Sequence, residues 1–148
     1  MLVFLQLFLG WLYSHVFEYI AHRYVLHNHK RFYTAFKNHF AIHHKTARKQ
    51  GMYDEGYESL ISSKFETASL IIIGIVHLPL FYFVPWFAAM TYVNLITYYV
   101  VHKKSHIDVE WGKKWLPWHY AHHMGKDQNK NWGVRTPIID KIVGTSDY

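Results

Sequence analysis

Residues 67–101 read TASLIIIGIVHLPLFYFVPWFAAMTYVNLITYYVV, 35 positions with no lysine or arginine. One membrane crossing takes about 20 apolar residues. The block is thus too long for one span and slightly short for two. Pro79 and Pro85 stand near its middle, where a proline removes a backbone donor and breaks helical bonding. The stretch is predicted to be a transmembrane helical hairpin, with segments at about 67–82 and 85–101 and its turn around 80–86. A hairpin returns the chain to the side it left.

The flanking charge agrees with that return. Residues 1–21 also lack Lys and Arg, and the 16 basic residues fall in two blocks, eight within 23–64 and eight within 103–141. Basic loops gathered on one side mark the cytoplasmic face of a membrane protein. MLVFLQLFLGWLYSHVFEYIAH at the start has no positive n-region and no small-residue cleavage site, so it is read as a retained helix crossing at about 2–24. At 148 residues the chain is expected to be one domain, 1–148. The fold class expected is an all-α integral membrane protein: an apolar N-terminal helix plus the hairpin, capped by a cytosolic helical, histidine-rich domain. Pro117 is expected to start a helix carrying 118–124. There is no cysteine, which excludes disulfides, Fe–S clusters, haem–thiolate chemistry and thiolate zinc fingers.

Histidine supplies 13 of the 148 residues. Ten form four groups: His22 and His27; His39, His43 and His44; His102 and His106; His119, His122 and His123. All lie in the basic blocks or at the membrane exits leading to them. In an α-helix, residues four apart share a face, so His39 can pair with His43, and His102 with His106. Five apart is about 140° around the axis, which sets His22 and His27 apart. The spacing leaves open whether His119 pairs with His122 or with His123. Imidazole is a good ligand for iron, zinc or copper, and two neighbouring metals would use all ten side chains. HExxH is absent, so a metalloprotease has no support. His15 is read as a structural residue or a channel lining, His77 as a structural residue bonding a carbonyl or another helix, and His29 as a surface residue. Glu18, one turn before His22, either orients that imidazole or makes an unrelated polar contact. In NWGVRTPIIDKIVGT (131–145), Asn131 and Gly133 suit a turn. Asp140 sits in an apolar run, where a buried carboxylate needs a partner: a ligand imidazole, or an Arg or Lys.

The order of these groups, with EYIAHRYVLH (18–27) as a first box and NWGVRTPIIDKIVGT after the last, resembles the fatty acid hydroxylase/sterol desaturase superfamily of membrane enzymes. The resemblance covers about residues 15–147. It implies a dimetal centre, with one metal taking His27, His39, His43, His119 and His122, and the other His22, His44, His102, His106 and His123. Asn131, Asp140 and Glu18 become candidates for orienting those ligands. It implies two iron ions (zinc being a second candidate in purified protein), with O2 as co-substrate, and oxidation of a lipid C–H bond to an alcohol or an alkene. A fatty acyl chain is the first expectation for the lipid. A carotenoid-ring hydroxylase and a sterol desaturase or methyl oxidase are the alternatives. Such families usually have about four spans, against three apolar segments here.

The chain carries no flavin, haem or Fe–S motif, so electrons are expected from an external donor of ferredoxin or cytochrome b5 type, drawn by the basic face. A membrane metal transporter would need polar ligands within its spans, and His77 is the one available. No nucleic acid is expected: the aromatics lie in apolar stretches rather than among the basic residues, against a stacking platform.

Overall fold

The computed structural model describes residues 1–59, 61 and 63–148. No strand occurs among them. The first helix, α1 (Leu2–Ala21), runs on through a π-helical turn, His22–Leu26. A short α2 (Tyr33–Phe36) likewise passes into a π-helical stretch, Lys37–His44, and then into α3 (Lys45–Lys49). A 3-10 turn at Glu55–Tyr57 precedes α4 (Lys64–His77), α5 (Leu80–Phe83) and α6 (Pro85–Ile107). The chain closes with α7 (Val109–Trp115), α8 (Pro117–Met124) and α9 (Ile138–Val143).

Two helical segments, Leu2–Leu26 and Lys64–Phe83, are long and apolar enough to cross a membrane. Their outer faces are bare: Phe4, Phe8, Ile72, Ile75, Val76 and Tyr82 are all exposed. Meanwhile the buried set is dominated by histidine, Ser, Thr, Asn, Asp and Glu side chains. Apolar outside and polar inside inverts the soluble pattern and suits a lipid surround. The third segment, α6, has the length at 23 residues, but Thr91, Asn94, Tyr92, Tyr98 and Tyr99 dilute its apolar character.

The hairpin forms, with its break spread over 78–84 rather than 80–86. Leu78 ends α4, α5 makes one turn, and Val84 takes φ −142°, ψ 68° before Pro85 opens α6. A residue preceding proline is pushed from helical to extended backbone, so Pro85 stops one helix and starts the next. Pro117 starts α8 in the same way.

The main packing is α1 along α6. Gly10 allows it: a Cβ there would lie 2.6 Å from the Phe87 carbonyl oxygen. Small residues at such crossings let two backbones approach within a membrane. The C-terminal segment folds back on the same pair, where Trp132 and Ile139 pack with Tyr19 and Leu12. That return brings residues 130–135 to the end of α1, beside the histidines.

Candidate metal centre

The ten grouped histidines converge. The ligating atoms of His22, His27, His39, His44 and His122 lie within 4.8 Å of one another, and so do those of His43, His102, His106 and His123. His119 joins the second set, its Nε2 3.4 Å from His106 Nε2. The sets abut, with the His44 and His123 rings 4.0 Å apart.

This partition differs from the one implied by the resemblance, and the backbone explains why. In the two π-helical stretches hydrogen bonds run i to i+5, as from His27 N to His22 O at 3.2 Å. Residues five apart therefore stack on one face. His22 and His27, set apart by α-helical angles, become neighbours with ring centroids 5.2 Å apart. His39 pairs with His44 instead of His43, their Nε2 atoms 3.1 Å apart. His22 Nε2 lies 2.9 Å from His39 Nε2. His43 is turned toward α6, its ring 4.5 Å from that of His106. In the regular helices α6 and α8 the four-residue rule holds. His102 and His106 share the second set, and His119 goes with His123 while His122 faces the first.

Outer contacts fix the imidazoles. His22 Nδ1 lies 2.5 Å from the Trp132 carbonyl oxygen, His122 Nδ1 2.7 Å from that of Lys130, and His106 Nδ1 2.8 Å from that of Met52. His43 Nδ1 meets Asp54 Oδ2 at 2.8 Å, and His102 Nδ1 meets Glu66 Oε1 at 2.7 Å. A carbonyl or carboxylate oxygen only accepts, so each Nδ1 carries the proton and each Nε2 presents a lone pair. Those lone pairs point inward. Among the described residues, His27 Nε2, His43 Nε2, His102 Nε2, His122 Nε2, His119 Nδ1 and both nitrogens of His123 are buried without a hydrogen-bond partner. An orphaned buried polar atom costs about 1–3 kcal/mol. Seven in one place, all on imidazoles, with the opposite nitrogen of His43, His102 and His122 anchored, is the pattern of preorganised metal ligands. The residues present fit two borderline cations.

The environment keeps these rings neutral, as ligation requires. Burial, reinforced by repulsion from neighbouring imidazoles, holds His39, His44, His119 and His123 well below the usual imidazole range. Burial takes His27 down to about 3 and His122 to about 4.

Of the candidate supporting residues, Glu18 follows the second of its two readings, a polar contact away from the imidazoles, and Asp140 follows neither of its own. Glu18 does not touch His22. Its Oε1 accepts from Val134 N at 2.5 Å and Arg135 N at 3.2 Å, and its Oε2 pairs with Arg135 Nε at 2.6 Å. Asp140 is fully buried, yet it meets neither an imidazole nor a basic side chain. It accepts from Trp132 N (2.9 Å), Gly133 N (2.8 Å) and Thr145 Oγ1 (2.7 Å). Gly133 is required there, since a Cβ would fall 2.2 Å from the Thr136 carbonyl oxygen. Asn131, at φ 58°, ties to Asp147 in the tail. All three shape the 130–135 segment, whose Lys130 and Trp132 carbonyls hold His122 and His22. The carboxylates that touch imidazoles, Asp54 and Glu66, were not singled out by the sequence. Asp54 lies 11 residues beyond His43 in a turn, and Glu66 is the lone charge in 65–102, a signal that could have found it.

His29 is exposed. His15 is buried edge-on against Trp11, ring centroids 4.6 Å apart. His77 bonds the Ile73 carbonyl oxygen (2.7 Å) and Tyr13 Oη (2.8 Å), as expected of a structural residue. A cavity of about 360 Å³ starts at His22, His39 and His43 and runs between α1, α4 and α6, past Phe17, Leu70, Ile73 and Leu95.

The model of the fatty acid hydroxylase family matches residues 7–145. No curated protein and no solved structure matches the chain.

Proposed function

Because this chain belongs to the fatty acid hydroxylase family, a group of metal-dependent membrane oxygenases, we propose that it is a di-iron oxidoreductase that hydroxylates a lipid, a fatty acyl chain first. The observation that carries the proposal is the double set of inward-facing imidazoles at the mouth of an apolar cavity. The ligands would be His22, His27, His39, His44 and His122 for one ion, and His43, His102, His106, His119 and His123 for the other. Bound iron supplies the chemistry of reducing O2 and oxidising an unactivated C–H bond. In balance, one oxygen atom enters the new C–OH and the other leaves as water, with two electrons and two protons consumed.

The protein's own part is positional. Carbonyls of Met52, Lys130 and Trp132, with Asp54 and Glu66, lock the ligand rings before metal arrives. Such anchoring partners are worth roughly 10–100-fold in metal affinity or activity. The apolar stretch of the cavity wall excludes water and aligns the chain so that one carbon faces His22, His39 and His43. Electrons come from an external ferredoxin- or cytochrome b5-type donor approaching the basic face, which we place on the cytoplasmic side by its lysines and arginines. A metal transporter is less well supported. Apart from His22 of the first set, the histidines within the spans are His15 and His77, and each is already engaged by other side chains or backbone.

Metal analysis of the purified chain tests the reading first, with about two irons per chain expected. Lipid profiling of a host expressing the chain, against a His119→Ala control, should show a hydroxylated acyl product absent from the control. A chain that purifies folded and takes up no metal would overturn the proposal.

A further inference from the structure

Away from the histidine sets, the far end of the cavity carries an unusual arrangement of polar groups. Tyr13 and His77 both line it, with Ser14 and Thr91 close by. His77 Nδ1 faces the Ile73 carbonyl oxygen at 2.7 Å. A carbonyl only accepts, so the proton is on Nδ1, and Nε2 of the neutral ring is an acceptor. Tyr13 Oη, 2.8 Å from that Nε2, must then donate its own proton to it. The phenol oxygen keeps only lone pairs for anything in the cavity.

The neighbouring hydroxyls are committed in the same sense. Thr91 Oγ1 donates to the Phe87 carbonyl at 2.9 Å, and Ser14 Oγ to that of Gly10 at 2.7 Å, the i−4 bonding common for such residues within helices. Among the described residues, this end of the cavity therefore offers acceptors and no hydroxyl donor. Among the described residues, Arg135 is the single Lys or Arg on the cavity wall. Its charge is matched by Glu18 at 2.6 Å, and a further N–H is spent on the Ser14 carbonyl at 3.1 Å. No cation is left over for a substrate carboxylate.

We infer that the far end of the cavity, at Tyr13, is a recognition site for the hydroxyl of a neutral lipid alcohol. The inference rests on the cavity being the lipid site of the proposed hydroxylase, and it narrows the substrate class from acyl chains in general to chains ending in a hydrogen-bond donor. It also sets a length. Tyr13 precedes His22 by nine residues, about 13 Å along a helix. An extended chain advances about 1.2 Å per bond, so the carbon presented to the histidines lies on the order of ten bonds from the hydroxyl.

Binding tests this without turnover. The purified chain in lipid nanodiscs is labelled by an alkyl diazirine, competed by dodecane, dodecyl alcohol or the isomeric undecyl methyl ether, while metal content is measured in parallel. The alcohol can donate and the ether can only accept. One net hydrogen bond predicts that the alcohol competes about three- to tenfold better. Tyr13→Phe alone would uncover the His77 Nε2 lone pair, so the test is the double substitution Tyr13→Phe with His77→Leu, which removes both acceptors and should bring that ratio to about one while leaving competition by dodecane unchanged, which shows that the cavity is intact. His77→Leu frees the phenol proton, so the ether should gain on the alcohol. Equal competition by alcohol and ether in the unaltered chain, or an alcohol preference that survives the double substitution, overturns the inference and leaves the hydroxylase reading standing. If dodecane itself fails to displace the probe, the cavity is not a lipid site and both fall.

Discussion

Asp54→Asn should strip the second histidine set of its metal while sparing the first. Both oxygens of Asp54 accept: Oδ2 faces His43 Nδ1 at 2.8 Å, and Oδ1 takes the Gly56 N–H at 2.9 Å. An asparagine has one acceptor oxygen and one amide donor in the same place. If the oxygen keeps Gly56, the NH2 faces His43 and forces Nδ1 to become the acceptor. The ring proton then moves to Nε2, which is the ligating atom. If the oxygen turns to His43, the Gly56 N–H is left facing another donor. Either way one buried donor is frustrated, at about 1–3 kcal/mol, or roughly 5–150-fold in metal affinity. That range overlaps the 10–100-fold typical of groups that anchor a metal-bound histidine. The assay is iron retention during graded chelator dialysis of the purified chain. Two irons per chain should fall to about one at chelator levels the unaltered protein withstands. Asp54→Ala removes both acceptors without supplying a competing donor, so it should be milder at His43 but costlier at the turn. If Asp54→Asn keeps both metals through the same dialysis, the carboxylate does not set the His43 tautomer and this reasoning fails.

Three more predictions follow from other parts of the molecule. His39→Ala and His43→Ala should each lose mainly one metal, from different sets, and His29→Ala should lose none; loss of the same metal in the first two would restore the α-helical pairing. The metal-free chain should lose stability as pH falls from about 6.5 toward 4. His122 and His27 are held neutral when folded, with pKa about 4 and about 3, so the unfolded chain binds protons that the folded one does not. For His122 alone this is on the order of 3 kcal/mol, visible in melting temperature across that window and flat above pH 7. Cysteines placed at Lys49 and Lys126 should label from one side of the membrane and one at Val84 from the other; labelling of all three from one side would remove the hairpin.

How far the sequence could be read depended on how regular the backbone is. The hairpin was legible because Pro79 and Pro85 act locally, and the convergence of the ten histidines was legible from their spacing in four groups. The pairing within that site was legible only where the helices are regular. The four-residue rule placed His102 with His106, and it carries His119 to His123 once α8 is known to be a plain helix. It failed at His22/His27 and His39/His44, where the backbone switches to i→i+5 bonding. Nothing in a single sequence signals that switch. Yet it has a physical rationale: spacings of five would splay two pairs of ligands off the face that a metal needs, and widening one turn restores it.

The carboxylates follow the same division. Asp140 was noticed as a charge in an apolar run and Glu18 as a carboxylate one turn before His22, and each is buried and hydrogen-bonded. What the sequence could not say is that they grip backbone rather than imidazole, because their partners come from a segment more than a hundred residues away from Glu18 and from a turn that Gly133 alone makes passable. The result is a relay of supports. Glu18 and Asp140 fix residues 132–135, that segment's Trp132 carbonyl fixes His22, and His22 helps build the first set. Loosening Asp140 should therefore reach the metal only through the backbone. Asp140→Asn keeps one acceptor and loses the other, so Trp132 N and Gly133 N can no longer both be held. The first set, which depends on Trp132 and Lys130, should weaken, and the second, anchored by Asp54, Glu66 and Met52, should not. The two carboxylates Asp54 and Asp140 thus address different metals, and chelator profiles of their asparagine variants should be complementary; superimposable profiles would mean that the two sets respond as one unit and that the relay does not exist.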